Sequence, residues 1–389
     1  MKIFLSSPNV TNLEKKAVLS VLKTRNLSLG PKLKKFEEKF AQYVGAKHAI
    51  AVNSGTSGLH LLVRALGIKR GDEVITTPFS FIASANCILY EKAKPVFVDI
   101  DPLTLNIDPK KIEKAITKKT KALLIVDIFG YPADWDKIFE IAKKYNLKII
   151  EDSCEAIGAQ YYSKIKKKWI KCGNFGEAGV FAFYPNKQMT TGEGGMIVTN
   201  NKKIADLCRS MSNQGREVRN GKWLEHIRLG YNYRMSDINA ALGVAQLSRI
   251  SQILKKRDQI AQIYNKKLSE LEQKGFINLP CPIKNKIPNG MKVKISWFVY
   301  VVQLTSKYTR KQRDQILKKL QKKGIRCSNY FQSIHLQPFY RQLFGYKRSD
   351  FPVSESVSDR TIALPFHNNL TEKEIKYIVT NLKKILTND

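Results

Sequence analysis

The stretch Phe181-Ala-Phe-Tyr-Pro-Asn-Lys-Gln-Met-Thr-Thr-Gly-Glu-Gly-Gly195 decides how this chain is read. An apolar strand, Gly179 to Tyr184, runs into a proline. A lysine follows at once, then a glycine-rich turn, then a second strand from Met196 to Thr199. This order fixes one amine, Lys187, at a strand end, where small residues let backbone come close to a ligand. Thirty-five positions earlier, Leu147-Lys-Ile-Ile-Glu-Asp152 is another strand, and it closes on an aspartate.

Outward from this pair, strands and helices alternate. Strands are predicted at 48–52, 73–77, 95–99, 122–127 and 148–151. The intervening helices cover the run Leu59, Leu62, Val63 and Leu66, then 83–90, 109–115 (opened by a proline in its first turn) and 135–145. Two further helices, 13–24 and 32–44, precede them. The alternation predicts an α/β fold with a mainly parallel sheet covered by helices. In such sheets ligands sit beyond the carboxyl ends of the strands, the edge that carries Asp152, Lys187 and the turn after Val52. A long helix is expected over 237–256. Beyond it the pattern changes to a strand over 296–304, a helix over 310–323 and a final helix over 371–385. The expected division is an N-terminal segment with a large domain over 1–250, and a smaller α+β domain over 251–389.

The same edge carries the chemistry. Asn53-Ser-Gly-Thr-Ser-Gly58 joins a strand to a helix and gathers backbone N–H groups and hydroxyls at the positive end of the helix dipole, an anion site assigned to a cofactor phosphate through Gly55, Thr56 and Ser57. Phe81, after the next strand, has the shape to stack on a pyridine ring. A carboxylate at Asp152 would hold a pyridine nitrogen protonated, and an amine at Lys187 would serve first as nucleophile and then as proton carrier. Free lysine titrates near 10.4, so such use calls for burial or cationic neighbours. Together these groups suit pyridoxal 5'-phosphate (PLP). Singly, each has an ordinary explanation: a solvated lysine, a helix cap, a core phenylalanine, a turn aspartate.

Bulk properties narrow the alternatives. The chain has 389 residues and a formal charge of +34. Its lysines are spread along polar helix faces rather than gathered into a stripe, which argues against nucleic-acid binding and for solvated surface, with steering of an anionic substrate as a side benefit. The densest run, Lys164 to Lys171, alternates like a surface hairpin. The six cysteines (87, 154, 172, 208, 281 and 327) form no CxxC pair and no metal-ligand spacing, and read as reduced thiols of a cytoplasmic protein; a Cys154–Cys172 disulfide is the alternative. No segment reads as a signal peptide, and the apolar runs are strand-sized, so no membrane association is expected.

Ten blocks in order carry a resemblance: Leu27-Ser-Leu-Gly-Pro31, Ser54-Gly-Thr-Ser57, Pro78 to Asn86, Val96 to Asp101, Gly130-Tyr-Pro-Ala-Asp134, Glu151-Asp-Ser-Cys-Glu-Ala-Ile-Gly158, Phe183-Tyr-Pro-Asn-Lys187 with Gly192-Glu-Gly-Gly195, Asn213-Gln-Gly-Arg216, Gly230-Tyr-Asn-Tyr-Arg234 and Ile334-His-Leu-Gln-Pro338. From about Pro8 to Leu386 the chain resembles the DegT/DnrJ/StrS nucleotide-sugar aminotransferases, of the aspartate-aminotransferase fold (PLP fold type I). The resemblance implies PLP on Lys187, its pyridoxamine form (PMP) as intermediate, glutamate as amino donor and a nucleotide-diphospho 4-keto-6-deoxy sugar as substrate. It also implies a homodimer with a shared site, in which Asn232 reaches the partner's cofactor phosphate. Arg234 lies close by, and Tyr184 and His335 are near the sugar nucleotide. Two departures stand out. Ala182 occupies a place where many relatives use a phosphate-binding serine, and Glu155 one where many have histidine or glutamine. A minority branch replaces the lysine with histidine and dehydrates its substrate; Lys187 argues against that branch. The alternatives are such a dehydratase, or a non-catalytic regulatory protein on the same scaffold.

Overall fold

The computed structural model describes residues 1–219, 222–280 and 290–387. Two helices, α1 (Asn12–Leu22) and α2 (Pro31–Val44), lead into a seven-stranded sheet. Its strands are β1 (His48–Val52), β2 (Glu73–Thr76), β3 (Lys94–Phe97), β4 (Thr120–Val126), β5 (Lys148–Asp152), β8 (Ala178–Ala182) and β9 (Gly195–Thr199). The short pair β6 (Gln160–Ser163) and β7 (Lys168–Lys171) forms the surface hairpin expected from the lysine-rich run. The sheet order is β1-β9-β8-β5-β4-β2-β3. Neighbours from β8 through β3 are parallel, and β9 runs antiparallel to both β8 and β1. Parallel pairing demands crossovers, supplied by α3 (Gly55–Ala65), α4 (Ala83–Tyr90), α5 (Pro109–Ala115) and α6 (Trp135–Lys144). The strands therefore read as near-continuous apolar runs: Leu123, Leu124, Ile125 and Ile150 are fully buried.

The helix expected over 237–256 is two helices, α8 (Asp237–Ser248) and α9 (Ile250–Gln273), after α7 (Lys202–Ser212). Arg249 separates them with φ −121° and ψ 19°. Its guanidinium reaches back to Glu14 (2.6 Å) and to the Asn9 side chain (2.6 Å), and this tertiary bonding takes the place of helix continuity. The strand expected over 296–304 shortens to Tyr300–Leu304. Its first residues turn aside because Ser296 N donates to Gly130 O (3.0 Å). Gly130 has φ +85°, and a Cβ there would lie 1.7 Å from Ser296 O, so only glycine allows the contact.

Tyr300–Leu304 centres a small antiparallel sheet flanked by Ile277–Asn278 and Thr361–Leu364. Helices Arg310–Lys322 and Glu372–Thr387 cover it with the later turns of α9, around Tyr264, Leu304, Leu320 and Leu382. We propose a division near residue 250 between the two regions, with crossings: Ile3 bridges to Ile325, Val293–Lys294 pairs with β6, and Ile334 and Tyr340 pack on Ala85 and Phe97. Among the described residues, no helix is long and apolar enough to cross a membrane.

Candidate active site

Asp152 ends β5, aligned between Val126 of β4 and Val180 of β8. It is 4% exposed. Ser84, in the first turn of α4, donates to Oδ2 (2.7 Å), and the Cys154 N–H donates to Oδ1 (3.1 Å). Ser80 hydrogen-bonds Ser84 in turn (3.0 Å), so the acid is oriented from two elements.

Beyond β8 the chain doubles back. Phe183 N donates to Gly194 O (2.9 Å), and its carbonyl accepts from Thr191 N (3.0 Å) and Thr190 Oγ1 (2.9 Å). Lys187 N closes a turn on Tyr184 O (2.9 Å). This brace aims Lys187 inward. Its Nζ lies 3.5 Å from Glu155 Oε1 and 4.0 Å from the centre of the Phe298 ring. A desolvated ammonium over such a ring gains about 2 kcal/mol. Glu155 Oε2 accepts from Phe129 N (2.8 Å), whose φ of 56° is a left-handed conformation. Burial pushes the Glu155 carboxyl up, and the Lys187 charge offsets part of that rise. The Cys154 thiol, raised by burial, feels the charges of both Asp152, which raises it further, and Lys187, which lowers it. The sequence reading asked for burial or cationic neighbours; the structure supplies burial, an aromatic face and a carboxylate.

The N-terminus of α3 forms the third side. Ser54 caps it, accepting from Ser57 N (3.1 Å), and Ser57 Oγ donates to Asn53 Oδ1 (2.6 Å). Gly195 ties the lysine-bearing turn to this cap: a Cβ there would stand 2.5 Å from Ser54 O and 2.8 Å from Gly55 N. A cavity of about 270 Å³ opens here, lined by Ser54, Thr56, Ser57, Tyr90 and Tyr233.

The other expected residues divide. Phe81 and Tyr184 are exposed aromatic side chains, at 59% and 52%. Asn232 is exposed on an extended segment that bridges Asn213, and its neighbours Tyr231 and Tyr233 turn the other way, into the protein. Arg234 donates to Asn213 Oδ1 (3.0 Å) and Gln214 Oε1 (2.5 Å). His335 is fully buried, its Nε2 3.0 Å from Glu355 Oε1 and its ring against Phe351; burial lowers its pKa. It is not brought to the lysine. Cys154 and Cys172 are free thiols; Cys281 lies outside the described residues.

Sequence reasoning missed Ser84, Phe129, Gln188 and Phe298. Gln188 Nε2 donates to Glu155 O (2.6 Å) and Ser296 O (3.1 Å), knitting the lysine turn to the Phe298 segment. Ser84 lay in a quoted block, but Phe298, more than a hundred positions from Lys187, carried no local signal. A buried cluster of Asp127, Glu151 and Cys172 was missed as well; its three ligating atoms lie within 4.8 Å of one another.

A family model of the DegT/DnrJ/EryC1/StrS aminotransferase family matches residues 8–383. This chain belongs to that family. A GDP-perosamine synthase of Caulobacter vibrioides is 37% identical over 386 residues, 99% of this chain and 98% of that protein. Among solved structures, PseC of Helicobacter pylori, an aminotransferase involved in pseudoaminic acid biosynthesis, superposes with a TM-score of 0.92 at 30% identity, covering 100% of both chains. Spr1654 of Streptococcus pneumoniae in its PMP form gives 0.90 at 26% identity, again over 100% of both.

DegT-family aminotransferases depend on PLP, and the residues here fit that group. An amine and an acid stand at the ends of neighbouring strands, the first residue of α3 lies against Cys154 beside them, and next to Lys187 the buried Asn186 Oδ1 has no hydrogen-bond partner. Lys187 would hold the aldehyde carbon, Asp152 the ring nitrogen, and Gly55, Thr56 and Ser57 the phosphate.

Proposed function

We propose that this aminotransferase converts a nucleotide-diphospho keto sugar, of the 4-keto-6-deoxy class, to the amino sugar with glutamate as donor. The observation that carries the reading is the placement of Lys187 Nζ between Glu155 and the Phe298 ring, beyond the end of β8, with the buried Asp152 at the end of the neighbouring strand β5. When bound, the cofactor supplies an electron sink for negative charge at the carbon being aminated. Asp152, fixed by Ser84 and the Cys154 N–H, supplies the charge opposite the pyridine nitrogen. Lys187 Nζ takes the proton from the donor carbon and returns one to the sugar carbon. Glu155 accepts from Phe129 N and keeps its other oxygen toward Nζ, so the released amine has an ionic partner between these duties.

The substrate class rests on the relatives' names, a GDP-perosamine synthase and a pseudoaminic acid enzyme. A homodimer is part of the proposal: Asn232 is exposed, as a residue reaching a partner's phosphate must be. The test is incubation of purified protein with a panel of keto-sugar nucleotides, with and without glutamate, read by product mass. Replacement of the keto oxygen by an amino group only when glutamate is present supports the proposal. Loss of water without glutamate overturns it in favour of a dehydratase, and no turnover with salt-sensitive DNA binding favours a regulatory role.

A further inference from the structure

One turn below the phosphate-facing end of α3 lies a buried polar cluster to which the reaction above gives no part. His60 is 4% exposed, and both of its ring nitrogens are partnered. Nε2 is 2.8 Å from Glu91 Oε1, and Nδ1 is 3.1 Å from the Tyr233 hydroxyl. Arg64 grips Glu91 with two bonds (3.0 and 2.9 Å), and Tyr231 donates to the same carboxylate (3.3 Å). The rings of Tyr90, Tyr231 and Tyr233 enclose the imidazole at 5.1, 4.8 and 5.9 Å. Tyr233 stacks on Tyr231 (4.9 Å, 10°), which restricts its ring and leaves its hydroxyl hydrogen free to turn. Tyr233 also lines the cavity at the start of α3, beside Thr56 and Ser57. Tyr233 thus contacts His60 through its hydroxyl and also lines the cavity.

The chemistry of the donors fixes two states. An ionised Glu91 only accepts, so His60 Nε2 must carry a hydrogen. With neutral imidazole, Nδ1 is then an acceptor, the Tyr233 hydroxyl donates to it, and only an oxygen lone pair faces the cavity. With a second proton on the ring, Nδ1 donates to the Tyr233 oxygen, and the hydroxyl hydrogen is released toward the cavity. The first arrangement repels an anion and the second binds one.

Resting on the proposed phosphate site, we infer that Tyr233 is a further ligand of the cofactor phosphate, and that His60 switches it by taking up one proton when the anion binds. His60 and Glu91 are positioning residues in this scheme, since they act through Tyr233. Burial depresses the His60 pKa and Arg64 depresses it further, while the bond to Glu91 opposes both. Burial and Arg64 both favour the neutral ring when no anion is bound. A dianion a few ångströms away, on the far side of one hydroxyl, adds a second negative partner and favours the charged ring. The proton comes from solvent and forms the Nδ1–H bond; no other covalent bond is made or broken.

The experiment uses full-length protein freed of cofactor and sulfate as the probe, because sulfate does not titrate near neutral pH. Calorimetric titrations at pH 7 in two buffers of different ionisation enthalpy count the protons taken up on binding. The wild type is expected to take up a proton, with binding that weakens as pH rises. Tyr233→Phe keeps ring and stack and removes only the switch; it should weaken sulfate about tenfold and abolish the uptake. His60→Gln should also abolish it. Undetectable sulfate binding, binding without proton uptake, or uptake unchanged in Tyr233→Phe overturns the inference. Borohydride reduction with PLP, followed by mass mapping of Lys187, reports separately on the cofactor assignment. An adduct without proton uptake leaves that assignment standing and sinks the switch, and uptake without an adduct does the reverse.

Discussion

Glu151 and Asp152 are adjacent in one strand, and their carboxylates do opposite work. Strand geometry sends successive side chains to opposite faces. Glu151 points into the protein, where it accepts from Ser153 Oγ (2.9 Å), Gly173 N (2.5 Å) and Phe175 N (2.7 Å). Asp127 stands beside it, accepts from Ala133 N (3.0 Å) and Trp135 Nε1 (3.1 Å), and shares the single Ser153 hydroxyl, 3.0 Å from its Oδ2. Burial and their mutual repulsion push Glu151 well up, and burial pushes Asp127 up to about 6. Asp152, on the other face, is held by Ser84 and one backbone N–H. The difference teaches that burial alone does not mark a catalytic acid. Glu151 spends its acceptors on the scaffold, whereas Asp152 is oriented but not exhausted.

This contrast can be broken or sharpened. The largest effect is expected for Lys187→Ala, which removes the amine on the Asp152 side of the strand and leaves the Glu151 side untouched: transamination should fall by about a thousandfold or more, with loss of the visible absorbance of bound cofactor. Asp152→Asn keeps the shape and removes the charge; turnover should fall about a hundredfold while the melting temperature stays near that of the wild type. A large stability loss with intact turnover would reverse the roles assigned to the two faces. Ser84→Ala releases one oxygen of Asp152 and should lower turnover about tenfold. The smallest effect on turnover is expected for Asp127→Asn, whose amide mimics a protonated acid against Glu151.

That last variant has its signature in pH. Asp127 and Glu151 bind protons more tightly in the folded chain than at their ordinary values of 3.8 and 4.5. Between about pH 4 and 6 the native state therefore holds more protons than the unfolded one, and the contribution of the pair to stability falls as pH rises through that window. Melting temperatures followed from pH 5 to 8 should decline in the wild type, and less steeply in Asp127→Asn. An equal decline in both would assign the slope to other groups.

Much of this was legible in the residues. The alternation of apolar runs gave the strands, because a parallel sheet buried on both faces tolerates little else. The strand–Pro–Lys–Gly turn marked Lys187, and the cap at Ser54 marked the helix start, because each is a local rule acting over a few residues. The break at Arg249 was not legible, since the capture of that side chain by Asn9 and Glu14 depends on a segment more than two hundred residues away. The burial of His335 against Glu355 was hidden for a similar reason: the motif around it gave no sign of which partner would close over the ring.

By itself the sequence determined the order of strands and helices, the amine and the acid at two strand ends, and the capped turn at the start of α3, all set by periodicity and backbone chemistry over short spans. Only the tertiary structure decided that Phe298 roofs the lysine, that Glu155 faces it, and that His60 stands behind Tyr233. Those contacts join residues tens to hundreds of positions apart. They exist because packing the small sheet's leading segment against the Phe129–Gly130 turn, and the Tyr233 segment against the end of β1, brings those residues together.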